Sequence, residues 1–392
     1  MECDSLLNLL KKMTKAMKRP QNKIRFPLLF NVTITMLFLW LSFYILSEFK
    51  FYLRPIVLGV LFAYFLFPVA NFFEKKGLPR ILANIITILM GLGMVYGVGL
   101  FLYKELSVFV TDVPAMKHQA SQNVNHIFTT IEDMLGIQSG ELINAVSNLI
   151  ENALSNSAEF FQTAFGTTFN TLFTIFIMPV YVFFLLFYRN KFKTFLLMLI
   201  PAENHSKAEK IINEVNSVAV HYITGVFFVV VILVVINSLG FLLIGLKYAL
   251  LLGVIAAIMN FIPYYGTIIG YLFPLFIAVF AMDSPKYTLL VVMQFVVVQF
   301  TENNILTPNI VGSHVNINPF MIILAITLGG FIWGLPGMFI AVPVVAVVRV
   351  LSDNIERLKP LGFLLGQGGA EEHAVTMDKI KKVMKPKKSK NN

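Results

Sequence analysis

Apolar positions in this chain fall in long runs rather than in the alternation of strands or the narrow stripes of surface helices. Runs at 27–46, 55–73, 81–103, 166–188 and 221–245 are each about 19–25 residues long. One helix of roughly 20 residues crosses the hydrocarbon core of a bilayer, so each run predicts one crossing. A shorter run follows at 287–303. Two further segments are too long for one crossing and too short for two. Residues 249–282 are broken at Asn260-Phe261-Ile262-Pro263-Tyr264-Tyr265-Gly266, and residues 319–350 at Gly334-Leu335-Pro336-Gly337. A membrane helix tolerates such a break only where its freed backbone groups face protein or a watery cavity. Broken helices near mid-membrane are also where many transporters hold their cargo. The pattern predicts an all-α, polytopic helical membrane protein with about eight hydrophobic segments, two of them broken or re-entrant.

Composition agrees. The chain is 57% hydrophobic and only 13% charged, against about a quarter charged for soluble domains. A soluble fold could not cover that much apolar surface. The first run has no small-residue cleavage pattern and is expected to stay as a first span. The lone Cys3 excludes an internal disulfide and offers no metal cluster.

Net charge is +10, and the basic residues lie in blocks that flank apolar runs. That is the pattern of membrane topology and lipid contact, and it argues against nucleic acid as a partner. Residues 1–26, 74–80, 189–220 and 349–392 hold 25 of the 31 Lys and Arg. The stretch 104–165 holds only Lys104 and Lys117 against seven acids. Cytoplasmic loops are Lys/Arg-rich. Both termini, 74–80 and 189–220 are therefore expected inside, and 104–165 outside. If 249–282 and 319–350 each cross once, there are eight spans. If each is a hairpin entering and leaving on one face, there are six. Both counts return the basic tail to the inside, and charge does not choose between them.

This gives five regions: a basic amphipathic segment 1–26, three spans in 27–103, an extracytoplasmic helical region 104–165, a transport core 166–350 with a cytoplasmic helix at 203–220, and a cytoplasmic basic tail 351–392. Helical apolar spacing also marks amphipathic helices at 5–19, 141–164 and 207–220.

Ionisable residues inside spans are costly in lipid and point to function. Glu302 is the carboxylate within the C-terminal apolar half, apart from Asp283 in a predicted loop. It follows Gln294 and Gln299 near one helical face, and Asn303, Asn304, Pro308 and Gly312 come after it. A polar stripe ending in a carboxylate suits a proton or cation relay, or hydrogen bonding to a solute; it also suits a local cap at the interface. At the first break, Pro263 frees a carbonyl one turn earlier and Gly266 permits a left-handed turn. Asn260 and Tyr264 are placed to reach the freed groups or a passenger. Gly-xxx-Gly pairs at Gly93/Gly97, Gly266/Gly270 and Gly330/Gly334 allow close helix contact. The chain has no phosphate-binding Gly-x-x-x-x-Gly-Lys-Ser/Thr loop, no His-Glu-x-x-His and no arguable nucleophile triad. An enzyme, an ATP motor, a cofactor and a metal site are not expected. Of the histidines, only His314 lies near the candidate path.

Asn260-Phe-Ile-Pro-Tyr-x-Gly266, then Glu302-Asn303, Pro308-x-Ile-x-Gly312, Pro319 and Gly334-x-x-Gly337-Met338-x-x-Ala341-x-Pro343 resembles the AI-2E family of bacterial membrane proteins. The similarity covers nearly the whole chain, with distinctive motifs in 250–345. It implies a permease without ATP hydrolysis in a bacterial plasma membrane. Its partners would be lipids, further copies of itself, and a small polar solute such as autoinducer-2 or Na⁺ and H⁺. Glu302 would bind the coupling ion or gate. Gln299, Asn260, Tyr264, Asn303 and Asn304 would supply polar contacts. Pro263, Gly266, Pro308, Gly312, Pro336 and Gly337 would provide the breaks. The family often has His before the proline of the last long segment, where this chain has Asn318. The rival reading is an oligomeric scaffold or channel-like protein without coupled transport.

Overall fold

The structure, a computed structural model, describes residues 28–135, 169–282, 284–312 and 317–368. Among them every regular element is helical. Two compact units divide at Phe49/Lys50. In the first, α1 (Leu28–Glu48) exposes apolar side chains such as Leu37, Phe38 and Leu39 on all sides, as a helix solvated by lipid must. The amphipathic segments at 5–19 and 141–164 and residue His314 lie outside the described residues.

The second unit begins with α2 (Lys50–Lys75), α3 (Arg80–Leu135), α4 (Phe169–Phe187) and the short α5 (Arg189–Met198). It continues with α6 (His205–Ile244), α7 (Ala249–Met259), α8 (Tyr265–Phe280) and α9 (Pro285–Thr301). A π-helical turn, Glu302–Leu306, leads into α10 (Thr307–Ile310). The unit closes with α11 (Pro319–Trp333), α12 (Leu335–Asn354) and α13 (Lys359–Leu365). Among the described residues, five helical stretches are long and apolar enough to cross a bilayer. Exposed Leu, Ile, Val and Phe over their outer faces make this a polytopic membrane protein.

Three boundaries differ from the sequence pattern. The third apolar run does not stop at 103: α3, 56 residues long in all, continues to Leu135 in the acidic stretch. Leu106, Phe109, Val113, Met116 and Ala120 recur on one face there and bury against α6, α7 and α8. The surface helix at 207–220 and the span at 221–245 are one helix, α6, of 40 residues. Residues 351–368 are ordered helix and turn, with α13 packed back on α12.

Both broken segments fold as antiparallel hairpins. A Cβ on Gly266 would overlap the Met259 carbonyl oxygen, and one on Gly270 would lie 2.9 Å from Ala256 O. Positions thus advance along α8 as they retreat along α7. In the second hairpin, Cβ atoms on Gly329 and Gly337 would each strike the other residue's carbonyl group, while Met321 and Ile322 meet Val345 and Val350 further down. At 1.5 Å per residue, α7 (11 residues) is about 16 Å long and cannot span the core. α12 has the length to cross, but its last turn projects past the start of α11.

The hairpins open toward opposite ends of the molecule. The first is tied at its base to α3: Tyr248 Oη donates to Asp112 Oδ2 (2.5 Å), and Asn123 Nδ2 donates to the Phe280 and Met282 carbonyls at 3.1 and 2.9 Å. The second has its base at the other end. There Asn354 Nδ2 donates to Glu214 Oε2 (3.1 Å), and the Asn318 amide bonds Leu365 O (2.7 Å). Arg189 clamps Glu74 at that same end with bonds of 2.8 and 2.5 Å, and Arg80 stands 3.7 Å from the carboxylate. We call these the Asp112 end and the Arg189 end. Two hairpins with bases at opposite ends are compatible with the six-span alternative of the parity argument, while α12 is itself among the stretches long enough to cross.

Candidate functional site

Where the tip of the first hairpin meets the end of α9, Asn260 Nδ2 donates to Glu302 Oε1 at 2.6 Å and Gln299 Nε2 donates to Glu302 Oε2 at 3.3 Å. Forty-two residues separate Asn260 from Glu302. Only the fold-back of α7 onto α8 brings the break to the carboxylate. Glu302 opens the π turn, whose closing Thr307 N–H reaches back five residues to the Glu302 carbonyl. Such turns insert one residue into a helix and recur at functional sites. The depth follows from two contacts on α6. Gln294 is bonded to Asn237, and Ile310 and Val311 abut Gly225. Glu302 lies about midway between them on its own helix, hence level with the Val230–Val231 stretch, near the middle of the apolar part of α6. A half-buried carboxylate at mid-depth, held by two amide donors, is a site for a cation, a proton or a hydroxyl donor.

The hairpin tip is strained. Tyr264 has φ 66° and ψ −57°, and the Tyr265 amide bonds Pro263 O at 2.8 Å. This is the rare positive-φ γ-turn, costly for a residue with a side chain. Gly266 sits buried against the Met259 and Asn260 backbone, where a side chain finds no space. The expected left-handed conformation thus falls on Tyr264 rather than on Gly266, whose part is close approach. The tip touches the second hairpin: Tyr265 Oη and Thr327 Oγ1 are 3.3 Å apart, and the Phe261 and Phe339 rings meet edge-on at 5.8 Å.

The remaining sequence candidates divide. Tyr264 is exposed at the tip. Asn303 and Asn304 are not gathered with Glu302; they share the outer surface of their helix with exposed Val296, Val297 and Phe300, and Asn304 bonds back to Phe300 O (2.9 Å). Ordinary helical spacing from Val296 and Phe300 puts them there, away from the hairpin tip. Pro308 starts α10, and Gly312 at φ 72° ends it where the chain crosses Gly225. Pro336 occupies the first turn of α12, after Gly334 at φ 68°, and Gly337 makes the tight crossing with Gly329. Asn318 accepts from the Phe320 amide (3.0 Å) and caps α11. Of the glycine pairs, Gly93/Gly97 borders open space, whereas Gly266, Gly270 and Gly330 are close contacts. Among the described residues no cluster of metal-ligating side chains exists.

Sequence reasoning missed Asn237 and Tyr271. Tyr271 Oη donates to Asn237 Oδ1, and Gln294 Nε2 donates to the Asn237 carbonyl at 3.1 Å. A polar residue inside the apolar run 221–245 was the available signal, but Asn237 becomes informative only once its neighbours are known.

Residues 32–357 match the family described as AI-2E family transporter. Among curated proteins the chain is similar to "Putative transport protein YrrI" of Bacillus subtilis (strain 168), 29% identical over 331 residues, covering 82% of this chain and 91% of the relative. A second Bacillus subtilis protein, "Putative transport protein YueF", is 28% identical over 352 residues, covering 83% and 93%. "Putative transport protein YhhT" of Escherichia coli (strain K12) is 30% identical over 134 residues, covering 34% and 38%.

Proposed function

The chain belongs to the AI-2E transporter family and is a membrane transport protein, and from that premise we propose that it exports or exchanges a small polar solute, or Na⁺ against H⁺, at the Asn260–Glu302–Gln299 site. The observation that carries the reading is the 2.6 Å bond from the hairpin tip to Glu302 at mid-depth. When Glu302 takes a proton or a cation, its pull on Asn260 weakens and the strained tip is released. When Glu302 is vacated, the tip is drawn back. Coupling needs such a two-state element that both passengers bias. Pro263, Gly266, Pro336 and Gly337 form the joints around which the hairpins shift.

The Arg189 end is cytoplasmic in this reading, since Lys75, Lys76, Arg80, Arg189, Lys191 and Lys193 gather there, and the membrane is the bacterial plasma membrane. A homo-oligomer fits as well. The amides of Asn303 and Asn304 at mid-depth would otherwise face hydrocarbon, and a second copy covers them.

The test is flux in proteoliposomes, with labelled autoinducer-2 and with Na⁺, with and without a pH gradient. Losing a charged hydrogen-bond partner costs about 1.5–3 kcal/mol, so Glu302→Gln is expected to lower coupled flux by about tenfold or more. Flux that ignores the pH gradient and survives Glu302→Gln would remove the coupled reading in favour of a channel-like one.

A further inference from the structure

We infer that the passenger's route from Glu302 to the Asp112 end runs between α6, α8 and α9, past a second polar tier made of Asn237, Tyr271 and Gln294, and that this tier selects cations and hydrogen-bond donors. The inference rests on Glu302 being the central site. Gln294 lies eight residues before Glu302 on α9, so the tier is about 12 Å nearer the Asp112 end.

The tier is buried: Asn237 is 2% exposed and Tyr271 9%. Three helices converge there. Tyr271 of α8 donates to the Asn237 side chain, and Gln294 of α9 donates to the Asn237 backbone. Gln294 lies flat against α6 where Gly240 leaves the space; a Cβ there would stand 2.6 Å from its Cδ.

The atom of the tier that points to a ligand is Gln294 Oε1, which is buried and, like several other side-chain atoms among the described residues, meets no partner. Helix-to-helix adhesion accounts for the Tyr271–Asn237 bond. It does not account for an acceptor left bare, which costs about 1–3 kcal/mol. Leucine at 294 would pack without that cost. A bare acceptor on the way to a carboxylate invites a donor. Gln294 Oε1, Asn237 Oδ1 and both Glu302 oxygens are all acceptors, which suits a partly dehydrated monovalent cation or a hydroxyl-rich solute and disfavours an anion. The tier is closed in this conformation and opens as the first hairpin moves.

Because Cys3 is the single cysteine, a Cys3→Ser background permits a test that needs no known cargo. Gln294→Cys, Tyr271→Cys and, as a surface control, Val297→Cys are made in full-length protein. Each is exposed to impermeant cationic (trimethylammonium-ethyl) and anionic (sulfonato-ethyl) methanethiosulfonates in right-side-out and inverted vesicles. The expected result is labelling of Gln294→Cys or Tyr271→Cys at least about tenfold faster than Val297→Cys, from the Asp112 side and faster with the cationic reagent. Elution as native-like protein in detergent qualifies each variant, and the two tier positions guard against one misfolding. Rates at both positions no faster than at Val297→Cys overturn the route. Equal rates for the two reagents overturn the selectivity. Either failure with Glu302→Gln still defective in flux sinks the tier and leaves the central site standing.

Discussion

Gly266→Ala tests whether the first hairpin depends on backbone-to-backbone contact. Gly266 lies in the first turn of α8 with an ordinary φ, so the added methyl brings no conformational strain and the whole effect is steric. Its Cβ would overlap the Met259 carbonyl oxygen and stand 2.5 Å from the Met259 carbonyl carbon, with Asn260 N at 3.1 Å. Ordinary contact begins near 3.4 Å, so relieving the carbonyl carbon alone takes about 0.9 Å (3.4 − 2.5), and the nearer oxygen requires α7 to recede further still. Neither partner is a flexible side chain that could swing aside. Overpacking of this kind costs about 1–3 kcal/mol. Asn260 directly follows Met259, so the same shift stretches its 2.6 Å bond toward Glu302 beyond hydrogen-bond range. The combined loss is about 2–4 kcal/mol, or two orders of magnitude in the folding equilibrium at the midpoint of that range. The control is Gly93→Ala, in open space on α3, where the gain in helix propensity stabilises slightly. Thermal unfolding in detergent, read beside coupled flux, is the assay. If Gly266→Ala melts together with Gly93→Ala and transports as wild type, the hairpin contact does not hold the site and the reasoning fails.

Tyr264→Gly keeps the positive-φ γ-turn without strain and is expected to match or raise the melting temperature, whereas Tyr264→Val should lower stability by about 1–2 kcal/mol; equal melting of the two would dismiss the strain. Glu74→Gln breaks the bidentate Arg189 clamp, whose side chains are 22% and 16% exposed, and is expected to cost about 1–2 kcal/mol by thermal unfolding. By contrast, Glu209→Gln, which removes the exposed Lys193 pair at 2.7 Å, should leave the melting curve unchanged. With Cys3→Ser, Thr111→Cys should label from outside intact cells and Glu356→Cys only after permeabilisation; the reverse would invert the topology.

The hydrophobic pattern alone determined a good deal. Run length against bilayer thickness made the protein a multi-span helical one, because an apolar helix of about 20 residues has one inexpensive environment. The breaks at 260–266 and 334–337 and the isolated Glu302 were legible for the same reason: each is costly in lipid unless the fold uses it. The motifs that carry the family resemblance were in the same stretch. What the sequence could not decide was pairing. Whether the broken segments cross or fold back depends on Gly266 meeting Met259 and Gly337 meeting Gly329, and periodicity within one helix is blind to contacts with another. The same limit hid Asn237 and Tyr271 behind an apolar average. It also left Asn303 and Asn304 grouped with Glu302 until the packing showed which face of the helix meets the hairpin tip. Nor did the charge pattern show that α3 runs on to brace the first hairpin through Asp112 and Asn123. Burial in a membrane is written residue by residue, since lipid is met one side chain at a time. A binding site is written between helices, and only their packing puts an amide 42 residues away within 2.6 Å of a carboxylate.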